Sequence, residues 1–321
     1  MVWGGVTDEP AHDSAADNKV KPYPGSTTYG VAKMNYSYWQ RALDSYTQIM
    51  QVVDVQIGRV LDALNDLPQS VVENTVVVFT SDHGEYAGAH GLLQGKLGTV
   101  YEEAWRVPLI VFDPSGRFAG DIDTVRTGLA SSVDLSTLLA SIGNQGTRNW
   151  MTGYLAEIYG NRLDMISMLK SANAPGRPFV LYATDEIAPS YYNFNNCPTH
   201  VLGLRTQDAK LGIYSDWYPG TSTINPQTVQ TEFYDYSTSG GQLELINTAR
   251  SDPRAEQMYR LLLSETIPNE LQQLLPAPLS VPQEAAKIAH LAFRALIYNL
   301  PESGFQDSNV LGDLLGYGRD F

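Results

Sequence analysis

The stretch NTVVVFTSDHGEYAGAHGLLQGK (residues 74–96) joins a run of apolar β-formers to an acid, two histidines, a lysine and several glycines. Its first part is apolar at consecutive positions, which is typical of a strand buried on both faces, as in a parallel sheet covered by helices. Asp82 and His83 follow where that strand ends. Because open α/β sheets bind ligands beyond the carboxyl ends of their strands, we expect a ligand site here.

Asp82 and His83 pair a carboxylate with an imidazole, ligands that suit Zn²⁺ or Mn²⁺, while Ca²⁺ prefers oxygen ligands although a mixed site can form. On a turn, which Gly84 permits, both side chains reach one ion, whereas on a strand they would point to opposite faces. Two ligands do not complete a site. The plainer interpretations are a capping role for Asp82, a core position for His83, loop structure for His90 and a solvated surface position for Lys96.

The surrounding sequence alternates helical and strand patterns. Apolar residues at i, i+3, i+4 and i+7 predict one long amphipathic helix from about Asn35 to Pro68. A second apolar run, residues 107–112, follows a short predicted helix at 99–105. Ser132 or Asp134 is then expected to cap a helix that ends at Gly143. This order predicts an α/β fold, doubly wound around a mostly parallel sheet.

After about residue 150 the pattern changes. A helix is predicted in residues 154–169, and four strand-like segments separated by turns then predict an antiparallel sheet: 177–184, 199–206, 209–217 and 230–237. Asp252 and Pro253 should open a helix that Pro268 interrupts, and residues 280–283 fit a capping box for a last helix. We therefore predict two units, an α/β domain in residues 1–175 and a smaller antiparallel α+β subdomain in residues 176–321.

Composition narrows the classes of partner. Lys and Arg total 21 against 35 Asp and Glu, a formal net charge of −14. This excess argues against a nucleic-acid backbone or an anionic membrane as main partner, and favours a periplasmic or secreted location over a cytoplasmic one. The single cysteine, Cys197, excludes an internal disulfide and a multi-cysteine metal site. We expect no membrane span, since no run approaches ~20 apolar residues, and the first residues show no signal-peptide pattern.

Taken in order, these features resemble the sulfatases of the alkaline phosphatase superfamily. The resemblance is carried by VDVQIGRVLDALNDL, NTVVVFTSDHGE, AGAHGLLQGK, VYEEAWRVPLIV and SSVDLSTLLASIG, and later by LGLRTQDAKLGIYSDW and TEFYDYSTSGGQLELINTARSDP. It implies hydrolysis of a small-molecule or carbohydrate sulfate ester, with Asp82 and His83 as ligands of a divalent metal, calcium first and manganese or zinc as alternatives. It also implies that Lys96 and His90 contact the substrate. A phosphodiesterase or phosphonate monoester hydrolase of the same superfamily is the alternative.

The family's nucleophile, a formylglycine made in a Cys- or Ser-x-Pro-x-Arg motif, has no counterpart in these 321 residues. Cys197 has Val201 where the motif needs arginine, and His12 is a poor match to the family's substrate histidine. We therefore expect the C-terminal portion of a sulfatase, inactive alone, with an apolar sheet edge that a missing N-terminal half or a second copy would cover. Besides the sulfatase and the phosphodiesterase or phosphonate hydrolase, a third interpretation is that the chain is a non-catalytic remnant or subunit that binds a partner.

Overall fold

A long helix, α1 (Tyr36–Asn65), opens the part of the chain that the computed structural model describes, namely residues 36–87, 89–91, 99–185, 200–218 and 221–299. It confirms the helix predicted from the apolar spacing, and Pro68 stands at the start of the next helix, α2 (Gln69–Val72). The apolar side chains of α1 are largely exposed, with Ile49, Val53 and Val60 each more than 40% accessible. The described elements therefore leave much of its apolar stripe uncovered.

Strands β1 (Val77–Thr80) and β2 (Leu109–Phe112) pair antiparallel, with Val77 opposite Phe112 and Thr80 opposite Leu109. The parallel arrangement predicted for these two runs is therefore wrong. Apolar residues at consecutive positions report burial on both faces and not strand direction. In the described part of the connection the one α-helix is α3 (Glu102–Trp105), which at four residues is too short to serve as a crossover helix. Ile110 and Phe112 are more than half exposed, so one face of this small sheet is open.

Three helices follow the small sheet: α4 (Leu135–Gly143), α5 (Tyr154–Tyr159) and α6 (Met165–Lys170). Gly143 ends α4 as predicted, whereas the helix predicted in residues 154–169 is divided into α5 and α6. Asp134 occupies the N-cap position of α4 as predicted, but its side chain makes no capping hydrogen bond to that helix. Its buried carboxylate instead accepts from the backbone N–H groups of Ser131 and Leu163 and pairs with Arg177.

The second sheet has the order β3-β4-β5-β6 and is antiparallel throughout, which confirms the four predicted strands. One face, which carries Val201, Tyr214 and Tyr234, packs against Tyr86 and against residues 100–104. The opposite face packs against the helices that follow the sheet. Both faces of the sheet are thus covered, and β5 is buried along its whole length. The strands are β3 (Val180–Asp185), β4 (His200–Arg205), β5 (Ala209–Ser215) and β6 (Gln230–Asp235).

The last described helices are α7 (Ser239–Gln242), α8 (Pro253–Leu261) and α9 (Ala277–Asn299), with a π-helical segment, Leu262–Leu271, directly after α8. Asp252 caps α8 as predicted, by accepting from the N–H of Arg254. The predicted capping box at residues 280–283 is wrong, because α9 begins earlier and the Gln283 amide instead contacts the backbone of residues 273 and 275. The domain boundary at residue 175 stays a prediction. Among the described helices, none has both the length and the hydropathy of a bilayer-crossing segment.

Candidate metal and anion site

The turn after β1 carries Asp82 and His83, and neighbouring groups fix its shape. The Ser81 hydroxyl donates to the backbone carbonyl of His83 at 2.7 Å, and the His83 N–H donates to Asp82 Oδ1 at 3.0 Å. The Gly84 N–H donates to the carbonyl of Ala104 in α3 at 3.0 Å. A Cβ atom at Gly84 would lie 1.8 Å from the Glu103 carbonyl oxygen, so the backbone can approach α3 this closely only because residue 84 is glycine.

The His83 ring is oriented by its own turn. Its Nδ1 lies 2.9 Å from the Gly84 carbonyl oxygen, which can only accept a hydrogen bond, so Nδ1 carries a proton. In the neutral ring this leaves the lone pair on Nε2, which lies 3.2 Å from Asp82 Oδ2. Metal-bound histidines commonly donate their other ring N–H to a carbonyl in this way. Two ligands of one divalent ion at ~2.1 Å are roughly 3 Å apart, so this separation fits a shared ion.

Both side chains are open to solvent, His83 at 40% and Asp82 at 81%. Desolvation opposes the ionisation of Asp82, but the His83 N–H, the His83 charge and the Ser81 hydroxyl together hold the pKa of Asp82 below its ordinary value. Asp82 is therefore an anion at neutral pH. A carboxylate and an imidazole nitrogen at this spacing are an accessible pair of ligands for a cation.

The structure places His90 inside the protein. Its side chain is 3% exposed, its ring stacks on that of Tyr101 at 3.6 Å, and its Nε2 lies 3.2 Å from Glu103 Oε2. Desolvation opposes the ionisation of Glu103, but the hydrogen bond from His90 helps to lower the pKa of that carboxyl. The backbone of His90 is left-handed, with φ at 52°. This burial is more typical of a histidine that holds the loop in place than of one that contacts a substrate, as was predicted for His90.

Lys96, the other predicted substrate contact, lies outside the described residues, as do His12 and Cys197. The structure therefore brings together Asp82 and His83, and it packs His90 against Tyr101 and Glu103. The role of Lys96 stays a prediction from the sequence.

Sequence reasoning missed a buried ion-pair cluster behind the turn. Lys210 Nζ in β5 lies 2.7 Å from Glu102 Oε1 and 2.7 Å from Glu244 Oε1, and it donates to the carbonyl of Val100 at 2.8 Å. Lys210 is completely buried. A lysine in an apolar strand was the available signal, because lysine is almost never fully buried unless it is paired.

His90, Glu103 and Glu244 also offer ligand atoms that all lie within 4.8 Å of one another. The Glu244 carboxylate is already engaged, since Oε1 pairs with Lys210 and accepts from the Tyr236 hydroxyl while Oε2 accepts from the Glu102 N–H. Lys210 supplies the compensating positive charge. The accessible pair at Asp82 and His83 is therefore the better candidate for a metal.

Comparison with known proteins decides the family. Residues 10–143 match the family model described as Sulfatase. Over 244 residues the chain is 32% identical to an N-acetylglucosamine-6-O-sulfatase of Bacteroides thetaiotaomicron, a match that covers 73% of this chain and 39% of that protein. This chain belongs to the sulfatase family. It is also 48% identical to the uncharacterized sulfatase YidJ of Escherichia coli over 64 residues, 20% of this chain and 12% of that one.

A solved structure extends the likeness to the fold of this sulfatase-family chain. The phosphonate monoester hydrolase SpPMH from Silicibacter pomeroyi superposes with a TM-score of 0.54 at 20% identity, over 85% of this chain and 49% of that one. At this identity the likeness shows the fold alone. It confirms the predicted alkaline phosphatase-like α/β fold class, while the antiparallel pairing of β1 with β2 departs from the predicted parallel arrangement. The chain spans less than half the length of each of these three relatives.

Proposed function

We propose that this chain supplies metal- and anion-binding residues to a metal-dependent hydrolase of sulfuric esters. The observation that carries the proposal is the 3.2 Å separation of His83 Nε2 and Asp82 Oδ2, with Nδ1 of the same ring tied to the Gly84 carbonyl. Membership of the sulfatase family supplies the class of reaction.

Asp82 and His83 would hold the divalent ion, calcium first and manganese or zinc as alternatives, with further ligands from elsewhere in the active protein. When bound, such an ion polarises an ester oxygen and stabilises the charge that develops in the transition state. Asp82 contributes the negative charge that attracts the cation, and the Gly84 carbonyl keeps the His83 lone pair directed outward. Lys96 is proposed to neutralise charge on the sulfate group.

The proposal assigns no nucleophile to these residues, since the sequence contains no Cys- or Ser-x-Pro-x-Arg motif. Removal of a catalytic nucleophile ordinarily costs several orders of magnitude in rate. We therefore propose that the 321-residue chain by itself binds the metal and sulfate and does not turn over esters at an enzyme-like rate.

The proposed substrate is the sulfate ester of a carbohydrate or another small molecule. A relative named as a sulfatase of an amino sugar supports the carbohydrate class. A phosphate diester or phosphonate is the competing substrate, because the phosphonate monoester hydrolase shares the fold. A periplasmic or secreted home is proposed with it, supported by the net charge of −14.

Binding of inorganic sulfate and of inorganic phosphate to the purified chain, with Ca²⁺ or with a chelator, tests the proposal. We expect calcium-dependent sulfate binding in the wild type and none in Asp82→Ala. A family segment that carries the nucleophile motif is then added, and para-nitrophenyl sulfate is compared with bis(para-nitrophenyl) phosphate. Preferred hydrolysis of the sulfate supports the proposal, and a strong preference for the phosphate diester would contradict it. Enzyme-like turnover by the chain alone would contradict the absence of a nucleophile.

A further inference from the structure

We propose that Lys210, although it lies in the second sheet, positions the metal-binding pair Asp82 and His83 by holding helix α3 in place. The inference rests on the proposed function, because it concerns the geometry of the proposed metal ligands. It is built from three contacts that follow one another, from Lys210 to α3, from α3 to Gly84, and from Gly84 to His83.

The first contact fixes the start of α3. Lys210 Nζ binds the side chain of Glu102, the first residue of the helix, and the carbonyl of Val100 just before it. Glu244 closes the arrangement, because Oε1 pairs with Lys210 while Oε2 accepts from the Glu102 N–H at 2.8 Å. The helix has only four residues, so these bonds and the packing around them, and not its own length, must fix its position.

The second contact transmits that position to the turn. The Gly84 N–H donates to the Ala104 carbonyl, and the backbone of Gly84 touches that of Glu103. Glu103 also binds His90 through its side chain. Both ends of residues 84–90 therefore rest on the same short helix.

The third contact reaches the ligand atom. The residue whose N–H is anchored on α3, Gly84, is also the residue whose carbonyl accepts from His83 Nδ1. A shift of α3 moves this carbonyl, and with it the orientation and tautomer of the His83 ring. Partners of this kind, which act through a ligand and not on the metal, typically change metal affinity by about 10–100-fold when they are lost.

Calorimetric titration with Mn²⁺ of the full chain tests this inference, with circular dichroism to establish that each variant is folded. Lys210→Met is expected to weaken Mn²⁺ binding about tenfold. Arg254→Met is the matched control. Arg254 also joins charged residues around the second sheet, Asp235 at 2.8 Å and Asp252 at 2.6 Å, but within the described chain it makes no ion pair with α3. Its Mn²⁺ affinity should stay within about twofold of the wild type, even if it is less stable.

Gly84→Ala tests the same path without touching the ion pairs, and provides the readout if Lys210→Met does not fold. Its Cβ would collide with α3, and Mn²⁺ binding should again fall at least about tenfold. Asp82→Ala separates the two proposals. Wild-type binding by Asp82→Ala would overturn the proposed metal site itself. Loss of binding in Asp82→Ala together with wild-type affinity in Gly84→Ala, or in folded Lys210→Met, would overturn the positioning role of Lys210. If Arg254→Met weakened Mn²⁺ binding as much as Lys210→Met does, the positioning role of Lys210 would also be overturned.

Discussion

The Nζ atom of Lys210 and the Oε1 atom of Glu244 lie 2.7 Å apart, and both side chains are at most 2% exposed. A buried ion pair is weak evidence for stability when it is compared with an apolar pair, because removing two charges from water is costly. The removal of one partner is different, since the other charge is then left buried without compensation. This cluster therefore links the second sheet to α3 at a position where single substitutions have large effects.

Lys210→Met leaves the buried Glu244 without its cation, while Glu102 keeps Arg205, whose Nε lies 3.6 Å from Glu102 Oε1. We expect a loss of about 3–5 kcal/mol in the free energy of unfolding, measured by urea denaturation. Lys287→Met, at an exposed position of α9, is the control and should change stability by less than about 0.5 kcal/mol. Equal stability of the two variants would show that the cluster is not charged as described.

Protonation of Glu102 should contribute to the pH dependence of the free energy of unfolding. Desolvation raises the pKa of this carboxyl, but the charge and hydrogen bond of Lys210 outweigh it and bring the pKa below the ordinary value of 4.5. A lowered folded-state pKa contributes stability that is present above the unfolded value and is lost as the pH falls through the folded one. The urea midpoint should therefore fall when the pH is lowered from neutral to about 4 and below, and this fall should be smaller in Glu102→Gln than in the wild type. A steeper fall in the variant would refute this sign.

Close packing between the second sheet and α3 makes Gly203 sensitive to substitution. A Cβ at Gly203 in β4 would lie 1.6 Å from the Trp105 ring of α3, so Gly203→Ala should cost about 1–3 kcal/mol through overpacking. Gly58 in α1 has no atom within 4 Å of its added Cβ, and Gly58→Ala should stabilise the helix by up to about 1 kcal/mol. Thermal denaturation of both variants measures the difference. Similar shifts in the same direction would argue against the contact between Trp105 and β4.

Removal of Arg177 from its pair with the buried Asp134 should cost far more than removal of one partner from an exposed pair. Arg177 Nε donates to Asp134 Oδ2 at 2.7 Å, and the carboxylate is completely buried. Arg177→Met should therefore cost about 3–5 kcal/mol. Arg260 pairs with Glu256 on the surface of α8, so Arg260→Met should cost no more than about 0.5 kcal/mol. Chemical denaturation compares them, and comparable losses would mean that burial does not control the energy of these pairs.

The sequence predicted the parts of the fold that local patterns determine. The apolar spacing of residues 36–65 predicted α1, the alternation of turns and β-formers predicted β3 to β6, and Asp252 followed by Pro253 predicted the start of α8. The direction of β2 relative to β1 was predicted wrongly, because an apolar run carries no information about the strand beside it. The start of α9 was wrong because the Gln283 side chain binds backbone before the helix instead of forming a capping box within it.

In the candidate site, too, the sequence predicted the contacts between neighbouring residues and not those between distant ones. Asp82 and His83 are neighbours in sequence, and Gly84 predicted the turn that brings their side chains together. The burial of His90 depends on Tyr101 and Glu103, and the cluster around Lys210 joins residues from distant parts of the chain. Spacing along the sequence cannot report such contacts, because they form only when the second sheet packs against α3.

Titration of the chain with Ca²⁺ and Mn²⁺ by calorimetry tests the central claim most directly, with Asp82→Ala and His83→Ala compared with Asp113→Ala. Asp113 is a carboxylate that follows β2. Because β2 ends beside the start of β1, Asp113 lies at the opposite end of the small sheet from Asp82, and its loss should leave metal binding unchanged. We expect saturable binding in the wild type and in Asp113→Ala, and loss of binding in Asp82→Ala and His83→Ala. Equal heats for the wild type and Asp82→Ala would show that this pair does not bind the ion.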